Sequence, residues 1–266
     1  MDKKPRRGVR PEPRHEDKTS WGKVAGWYGK HLKEEDTYHG EVVFPNTLRM
    51  LGLSEGERVL DVACGEGSFA PYVVGARSSY VGVDIAAALL QQARNKNIRQ
   101  AEFLAGNAKE LHRTTSPKTF SAATCILALQ NIDDLGAVFQ GVARALMAGG
   151  RLVIVLTHPA FRVPRQSGWG FDDGRSLQYR RVDAYMSSNE VQVLLNPSRG
   201  SHSVKTYTYH RPLQIYIQAL AEAGFMVDGL EEWISHREST SGPRAKAENR
   251  ARREIPLFMA IRARLR

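Results

Sequence analysis

The side chains best placed to do chemistry lie in one short string, Val59-Leu60-Asp61-Val62-Ala63-Cys64-Gly65-Glu66-Gly67-Ser68-Phe69, where an apolar run enters a Gly-x-Gly turn and then a helical pattern. Glycines there let the backbone turn tightly and let a ligand approach with no Cβ in its way. The next apolar run ends Tyr80-Val81-Gly82-Val83-Asp84, placing a carboxylate 19 residues beyond Gly65. At the tip of an adjacent parallel strand such a carboxylate can accept both hydrogen bonds of a ribose diol. The first turn also discriminates between ligands. A dinucleotide site wants a third glycine three residues after the second, for close helix packing against a pyrophosphate. Ala70, a tolerated residue, holds that position, but Asp61 precedes the glycines inside the strand. An acid there repels a pyrophosphate and attracts a cationic ligand bearing an ammonium and a sulfonium.

Other candidates are spread along the chain. His158, just after the apolar run Arg151 to Leu156, is a candidate base titrating near neutrality, although Pro159 behind it weighs toward a histidine satisfied within the structure. Tyr185 and His210 are catalytic candidates of the same kind, with Tyr179 beside them. Asp172 and Asp173 either anchor an amine or make a turn beside Gly174. Trp169 and Tyr209 either stack on a planar acceptor or pack as a lid, and Arg162, Arg165, Arg180 and Arg181 either bind a carboxylate or phosphate or stand as solvated charges. Cys-x-x-Cys and His-x-x-x-His spacings are missing, so no bound metal is expected. Cys64 and Cys125 sit in apolar, strand-like stretches and are expected to be reduced, buried and inert.

These residues need elements to position them. At 266 residues, 42% hydrophobic and 25% charged, the chain can build a full core. Strand-like runs at Arg58 to Ala63, Ser79 to Val83, Ala101 to Leu104, Phe120 to Leu127 and Arg151 to Leu156 alternate with helical runs at Ser68 to Val74, Ala86 to Asn95 and Leu135 to Met147, the last closed by Gly149 and Gly150. That alternation implies right-handed crossovers and a parallel sheet covered on both faces, a doubly wound α/β domain. After Leu156 the rhythm breaks into an aromatic, arginine-rich stretch, Thr157 to His210, with a hairpin expected from Val191 to Leu195 and Val204 to Tyr209 around Asn196-Pro197-Ser198-Arg199-Gly200. Pro212 then opens a helix with an apolar face of Leu213, Ile217, Leu220 and Ala221, and Phe225 to Ile234 and Leu257 to Ala263 read as closing strands. The run Arg244 to Arg253 between them is helix-compatible and is expected to be a solvated connector.

Ahead of the sheet, residues 1 to 20 are rich in Pro, Lys, Arg and Glu and are expected to be a disordered basic tail. Residues 21 to 55 are expected to form a helical cap, with a stripe of Trp21, Val24, Trp27, Tyr28 and Leu32 and a second helix from Val42 to Leu51. Residues 56 to 266 form the main domain, 157 to 210 being a substrate-region insertion. The longest uncharged stretch near the middle, Thr119 to Ile132, is 14 residues, short of the roughly 20 that cross a bilayer. Met1 to Arg14 lacks the apolar run of a secretory signal, so a cytoplasmic protein without membrane partners is expected. Net charge is +10, made up of +6 in residues 1–33, −2 in 34–160 and +6 in 161–266. Such ends either attract a polyanion such as RNA or an anionic small substrate, or simply keep the surface soluble.

In combination these motifs resemble the class I S-adenosylmethionine-dependent methyltransferases, in their small-molecule branch, over roughly Glu41 to Arg264. The resemblance implies a Rossmann-like, mostly parallel seven-stranded sheet whose last two strands form an antiparallel hairpin, with S-adenosylmethionine as cofactor. It assigns Asp61, Gly65 and Gly67 to the methionine end of the cofactor and Asp84 with Ile85 to the ribose. It assigns Asn107 and Ala108, in Leu104-Ala105-Gly106-Asn107-Ala108, to the adenine, although many members carry Asp where this chain has Asn107. Leu127 and Gln130 become wall residues, Ala148 to Ile154 the junction into the fifth strand, and Tyr28 a residue folding over the cofactor unless it packs the entry helix. Leu129-Gln130-Asn131-Ile132 stands where amino methyltransferases of adenine and glutamine carry Asn/Asp-Pro-Pro-Tyr/Phe, and no cysteine pair is placed for attack at carbon five of a pyrimidine. The implied activity is methyl transfer to O or N of a small molecule. The alternatives are an RNA methyltransferase using the basic N- and C-terminal regions, and a non-catalytic subunit that senses S-adenosylmethionine or binds RNA. The sequence leaves the oligomeric state open.

Overall fold

A computed structural model of the chain describes residues 36–194 and 205–266. The tail, the stripe from Trp21 to Leu32 with Tyr28, and the turn Asn196 to Gly200 lie outside the described residues.

A π-helical turn, His39–Val43, runs into α1 (Phe44–Leu51). The alternation follows as β1 (Arg58–Val62), α2 (Ala70–Gly75), β2 (Ser79–Asp84), α3 (Ala87–Asn95), β3 (Ala101–Ala105), β4 (Phe120–Ile126), α4 (Leu135–Ala145) and β5 (Leu146–Thr157). Two hairpins interrupt it: β6 (Ser167–Asp172) with β7 (Leu177–Val182), and β8 (Asn189–Leu194) with β9 (Lys205–His210). The chain closes with α5 (Leu213–Glu222), β10 (Phe225–Trp233), α6 (Ala245–Glu254) and β11 (Phe258–Leu265). Seven strands form one sheet in the order β10-β11-β5-β4-β1-β2-β3. Only β11 runs antiparallel to its neighbours, so the carboxyl ends of the other six share one edge.

The strands read as nearly unbroken apolar runs because both faces of the sheet are covered. Successive side chains point to opposite faces, so Leu152, Ile154 and Leu156 of β5 enter the core under α4 and α5, while Val153 and Val155 enter the one under α1, α2 and α3. Strand β4 divides likewise, with Ala123 and Cys125 on the first face and Ala122 on the second. Burial this complete fixes the register, because a slip of one residue would move every side chain to the wrong face.

Several expected boundaries move. Helix α4 ends at Ala145 rather than Met147, because Leu146 is buried and pairs with Phe120, so that Leu146 to Gly150 begin the strand that was expected only from Arg151. In α5 the inward stripe uses Tyr216 where Ala221 was expected; Tyr216 is buried and Ala221 is exposed. The segment expected to be a connector contains the helix α6, with Ala251 its one buried residue. The hairpin β6–β7 has no counterpart among the expected elements. Its Asp172-Asp173-Gly174 turn is the one the sequence suggested, with Asp172 accepting from the Arg175 amide at 3.0 Å.

Candidate functional site

The site grows from the turn after β1. Ala63, Gly65 and Gly67 all have left-handed backbones, with φ of 58°, 57° and 68°. Two of these are glycine for different reasons. A Cβ on Gly67 would lie 2.7 Å from Cζ of Phe103 and 3.2 Å from Cβ of Ala93, so the turn can lie against β3 and α3 only without a side chain. A Cβ on Gly65 would meet nothing within 4 Å, so that stretch of main chain faces open space. Between them Glu66 is buried, accepting from Ser68 Oγ at 2.7 Å and from Lys96 Nζ at 3.2 Å, which ties the turn to the residue after α3. Ala63 accepts a left-handed backbone that an L side chain rarely adopts, a cost of order 1–3 kcal/mol that such sites commonly carry.

Two carboxylates stand behind this turn. Asp84, at the end of β2, accepts from the Gly65 amide through Oδ2 and from the Ala86 amide through Oδ1, both at 2.8 Å. It thereby fixes the distance between the first and second strand tips. Asp61 is buried, accepting from the Tyr80 hydroxyl at 2.5 Å and from Thr124 Oγ1 at 2.9 Å. Burial pushes its carboxyl up to about 7, against the pull of those two hydrogen bonds and with the Asp84 charge adding to the rise.

The neighbouring tips complete the rim. Ile85, 37% exposed, follows Asp84. Asn107 caps the 3-10 turn Ala108–Arg113 after β3, its Oδ1 accepting from the Lys109 amide at 3.0 Å, and Ala108 packs on the core. After β4, Leu127 has φ 53° and donates its amide to the Val155 carbonyl at 2.8 Å. Gln130 donates Nε2 to the Leu127 carbonyl at 2.7 Å, while its Oε1 is buried with no partner. Asp61, Gly65, Gly67, Asp84, Ile85, Asn107, Ala108, Leu127 and Gln130 thus come together along the carboxyl tips of β3, β2, β1 and β4. The recess beside the turn is also lined by His39, Phe44 and Phe69. His39 and Phe44 were missed by sequence reasoning; the only signal was that the resemblance brings an aromatic from the segment ahead of the sheet, assigned to Tyr28, over the cofactor.

The three residues expected to be catalytic divide into two places. His158 is buried at the tip of β5, its Nε2 2.6 Å from Glu232 Oε1 and its Nδ1 accepting from the Ala160 amide at 3.2 Å. Burial holds its pKa below the ordinary value despite Glu232. With both nitrogens engaged, His158 presents no free lone pair, which is the structural arrangement the sequence weighed against catalysis. Tyr185 and His210 instead sit together: His210 Nε2 donates to the Tyr185 carbonyl at 2.7 Å, and the Tyr185 hydroxyl accepts from the Leu213 amide at 2.8 Å. Arg211, next in sequence, donates to the carbonyls of Leu129, Ile132 and Asp133, which pins the insertion to the turn carrying Gln130. Cys125 is buried, and burial pushes its thiol well above the usual range, as it does for Cys64.

A switch-edge cleft in a seven-stranded sheet with an antiparallel β11, a glycine turn, and an acid at the second tip define the class I methyltransferase architecture. Comparison with known proteins agrees. Residues 60–154 match the family model described as a methyltransferase domain. A demethylmenaquinone methyltransferase of Tropheryma whipplei (strain Twist) is 31% identical over 112 residues, covering 42% of this chain and 46% of that protein. A demethylmenaquinone methyltransferase of Bacillus cereus (strain AH187) is 27% identical over 143 residues, 51% of this chain and 57% of its own. The chain thus matches about half the length of these curated relatives. A crystal structure of an S-adenosylmethionine-dependent methyltransferase from Mesorhizobium loti superposes with a TM-score of 0.69 at 23% identity, over 86% of this chain and all of that one, a likeness of fold. Residues 60–154 thus carry a methyltransferase domain, within a fold shared with S-adenosylmethionine-dependent methyltransferases. The rim has features that suit S-adenosylmethionine: open main chain at Gly65, the Asp84 carboxylate at the next strand tip, and an unpartnered acceptor at Gln130 Oε1. Among the described residues no helix is long and apolar enough to cross a membrane.

Proposed function

We propose that the chain transfers the methyl group of S-adenosylmethionine to O or N of a small molecule held by the insertion at 157–210. The observation that carries this reading is the joining of Gly65 to Asp84 at 2.8 Å, which sets a carboxylate beside open main chain at adjacent strand tips, a place suited to a ribose diol. When bound, the cofactor supplies a methyl group on a positively charged sulfur. Asp84 orients the ribose, Asn107 and Ala108 border the base, and Asp61, which titrates at about 7, favours a cationic ligand at the methionine end in its ionised form. Leu127 and Gln130 wall the opposite side. Methyl transfer is an in-line displacement, so alignment and exclusion of water account for most of the protein's task.

The insertion suits an acceptor site because it leaves the tip of β5 and returns through Arg211 to the Gln130 turn after β4, flanking the rim at adjacent strand tips. His210 and Tyr185 lie on that return. Demethylmenaquinone, the acceptor in the relatives' names, is the first compound to try. Transfer of labelled methyl from S-adenosylmethionine to that quinone, and to a metabolite extract and an RNA preparation, tests the reading. A labelled small molecule supports it; label in RNA alone, or none anywhere while the cofactor binds, contradicts it. Against RNA stands the pairing of basic side chains around α6: Arg244 with Asp173, Arg252 with Glu248 and Arg253 with Glu238.

A further inference from the structure

Two arginines of the insertion approach one indole ring. Arg162, on the turn after β5, has its guanidinium carbon 5.3 Å from the centre of the Trp169 ring, and Arg180, opposite Trp169 in the β6–β7 ladder, stands 5.2 Å from it. Their hydrogen bonding is unequal. Arg180 donates Nε to the Phe161 carbonyl at 2.7 Å and Nη2 to Ser167 Oγ at 2.8 Å, so it is locked in place. Arg162 has a buried Nε with no acceptor, and no carboxylate forms an ion pair with either guanidinium among the described residues. Its terminal nitrogens also lack protein acceptors, yet they are not sealed from solvent as Nε is. Burial and the Arg180 charge together push the Arg162 guanidinium down to about 10. Trp169 itself is 40% exposed.

A fixed arginine and a second, unpartnered one beside an exposed ring make an arrangement that lacks an anion. Guanidinium forks match carboxylate and phosphate oxygens two at a time, and an indole offers a stacking face to a planar group. The place is also apt. The Arg162 amide donates to the His158 carbonyl, and the His158 amide to the Leu257 carbonyl, so Arg162 is anchored to the tips of β5 and β11. Tyr38 packs on Phe258 at that same edge, and the next residue, His39, lines the recess beside the glycine turn.

We propose that Arg162, Arg180 and Trp169 form an oxyanion subsite that selects a planar methyl acceptor carrying a carboxylate or phosphate. This deepens the functional reading above and rests on it for the position of the methyl donor. The two arginines hold the oxyanion, Trp169 covers the flat part of the molecule, and the acceptor atom points toward the rim. A neutral quinone would leave the guanidiniums unsatisfied and would be the poorer acceptor.

The test uses the full chain with benzoate, phenyl phosphate and neutral benzamide, following the Trp169 indole N–H resonance, identified with Trp169→Phe. At least one of the two anions is expected to bind about tenfold more tightly than benzamide, with Arg162→Gln abolishing the preference and Arg162→Lys retaining part of it. Whether benzoate or phenyl phosphate prevails tells which oxyanion the subsite takes. Equal binding of anions and benzamide, or a preference that survives Arg162→Gln in a folded variant, overturns the proposal. S-adenosylhomocysteine binding is measured in parallel and is expected to be within about twofold of the parent for both Arg162 variants. A tenfold loss there would assign Arg162 to the methyl-donor site and overturn the subsite. Failure of the parent chain to bind S-adenosylhomocysteine at all would sink the methyltransferase reading, whereas the anion preference would still be read separately.

Discussion

The rim over β1 to β4 and the insertion between β5 and α5 are built by opposite means. On the rim, short side chains bond to the adjacent strand or the next turn: Asp84 to Gly65 and Ala86, Asp61 to Tyr80 and Thr124, Asn107 to Lys109. In the insertion, long arginines reach across gaps: Arg165 to the Gln192 carbonyl, Arg180 to Phe161, Arg211 to the turn after β4. The first region is rigid because its geometry is set by strand spacing. The second is adjustable, because each tie spans several rotatable bonds and immobilises a side chain at an entropic cost of up to about 2 kcal/mol. On the proposed function, a fixed seat for the cofactor would stand beside a retunable one for the acceptor, an arrangement by which one fold can serve many substrates.

If that contrast holds, crowding the rim should do more damage than cutting any tie of the insertion. Gly67→Ala combines a left-handed backbone with a Cβ driven into Phe103 and should cost about 3 kcal/mol, read from urea unfolding midpoints. Arg211→Ala removes a guanidinium donor from three carbonyls, of which Leu129 keeps the Ile132 amide, and should cost roughly 2 kcal/mol, with faster proteolysis inside 157–210 but unchanged affinity for S-adenosylmethionine. Gly65→Ala carries only the backbone strain and should cost about 1 kcal/mol, although it crowds the ligand's approach. Should Gly65→Ala prove as destabilising as Gly67→Ala, the open space assigned to Gly65 is wrong. Arg244→Ala, which breaks an exposed pair with Asp173, should change stability by less than about 1 kcal/mol.

Asp61 gives the contrast a pH dependence. Its carboxyl titrates at about 7 in the folded chain against 3.8 ordinarily, so the folded state keeps a proton that the unfolded state has released. The stability from this group is therefore complete below the unfolded value and is lost as pH rises through about 7. Unfolding midpoints at about pH 5 and pH 8 should differ in the parent chain and converge in Asp61→Asn. An unchanged difference would place the titrating group elsewhere.

The same physical contrast explains what could be read from the sequence. Strand tips, the glycine turn and Asp84 were legible because a parallel sheet forces apolar runs of a given length and a turn forces glycine. Leu146 was misplaced because its pairing with Phe120 depends on a neighbouring strand, which no local pattern reports. Tyr216 was missed for Ala221 because one helical stripe can be drawn through either. The hairpin β6–β7 hid among arginines and aromatics whose partners lie far along the chain, Arg180 with Phe161 and Arg244 with Phe171 among them. His39 and Phe44 reach the recess through a π-helical turn, whose extra residue rotates the face that ordinary helical spacing would predict.

The measurement that bears most directly on the whole account is calorimetric titration of S-adenosylmethionine into the parent chain and into Asp84→Asn, with thermal melts to show that both are folded. Tight binding by the parent and a loss of about tenfold or more in the variant is the predicted result. Equal affinities, or no heat of binding to the parent chain, would contradict it.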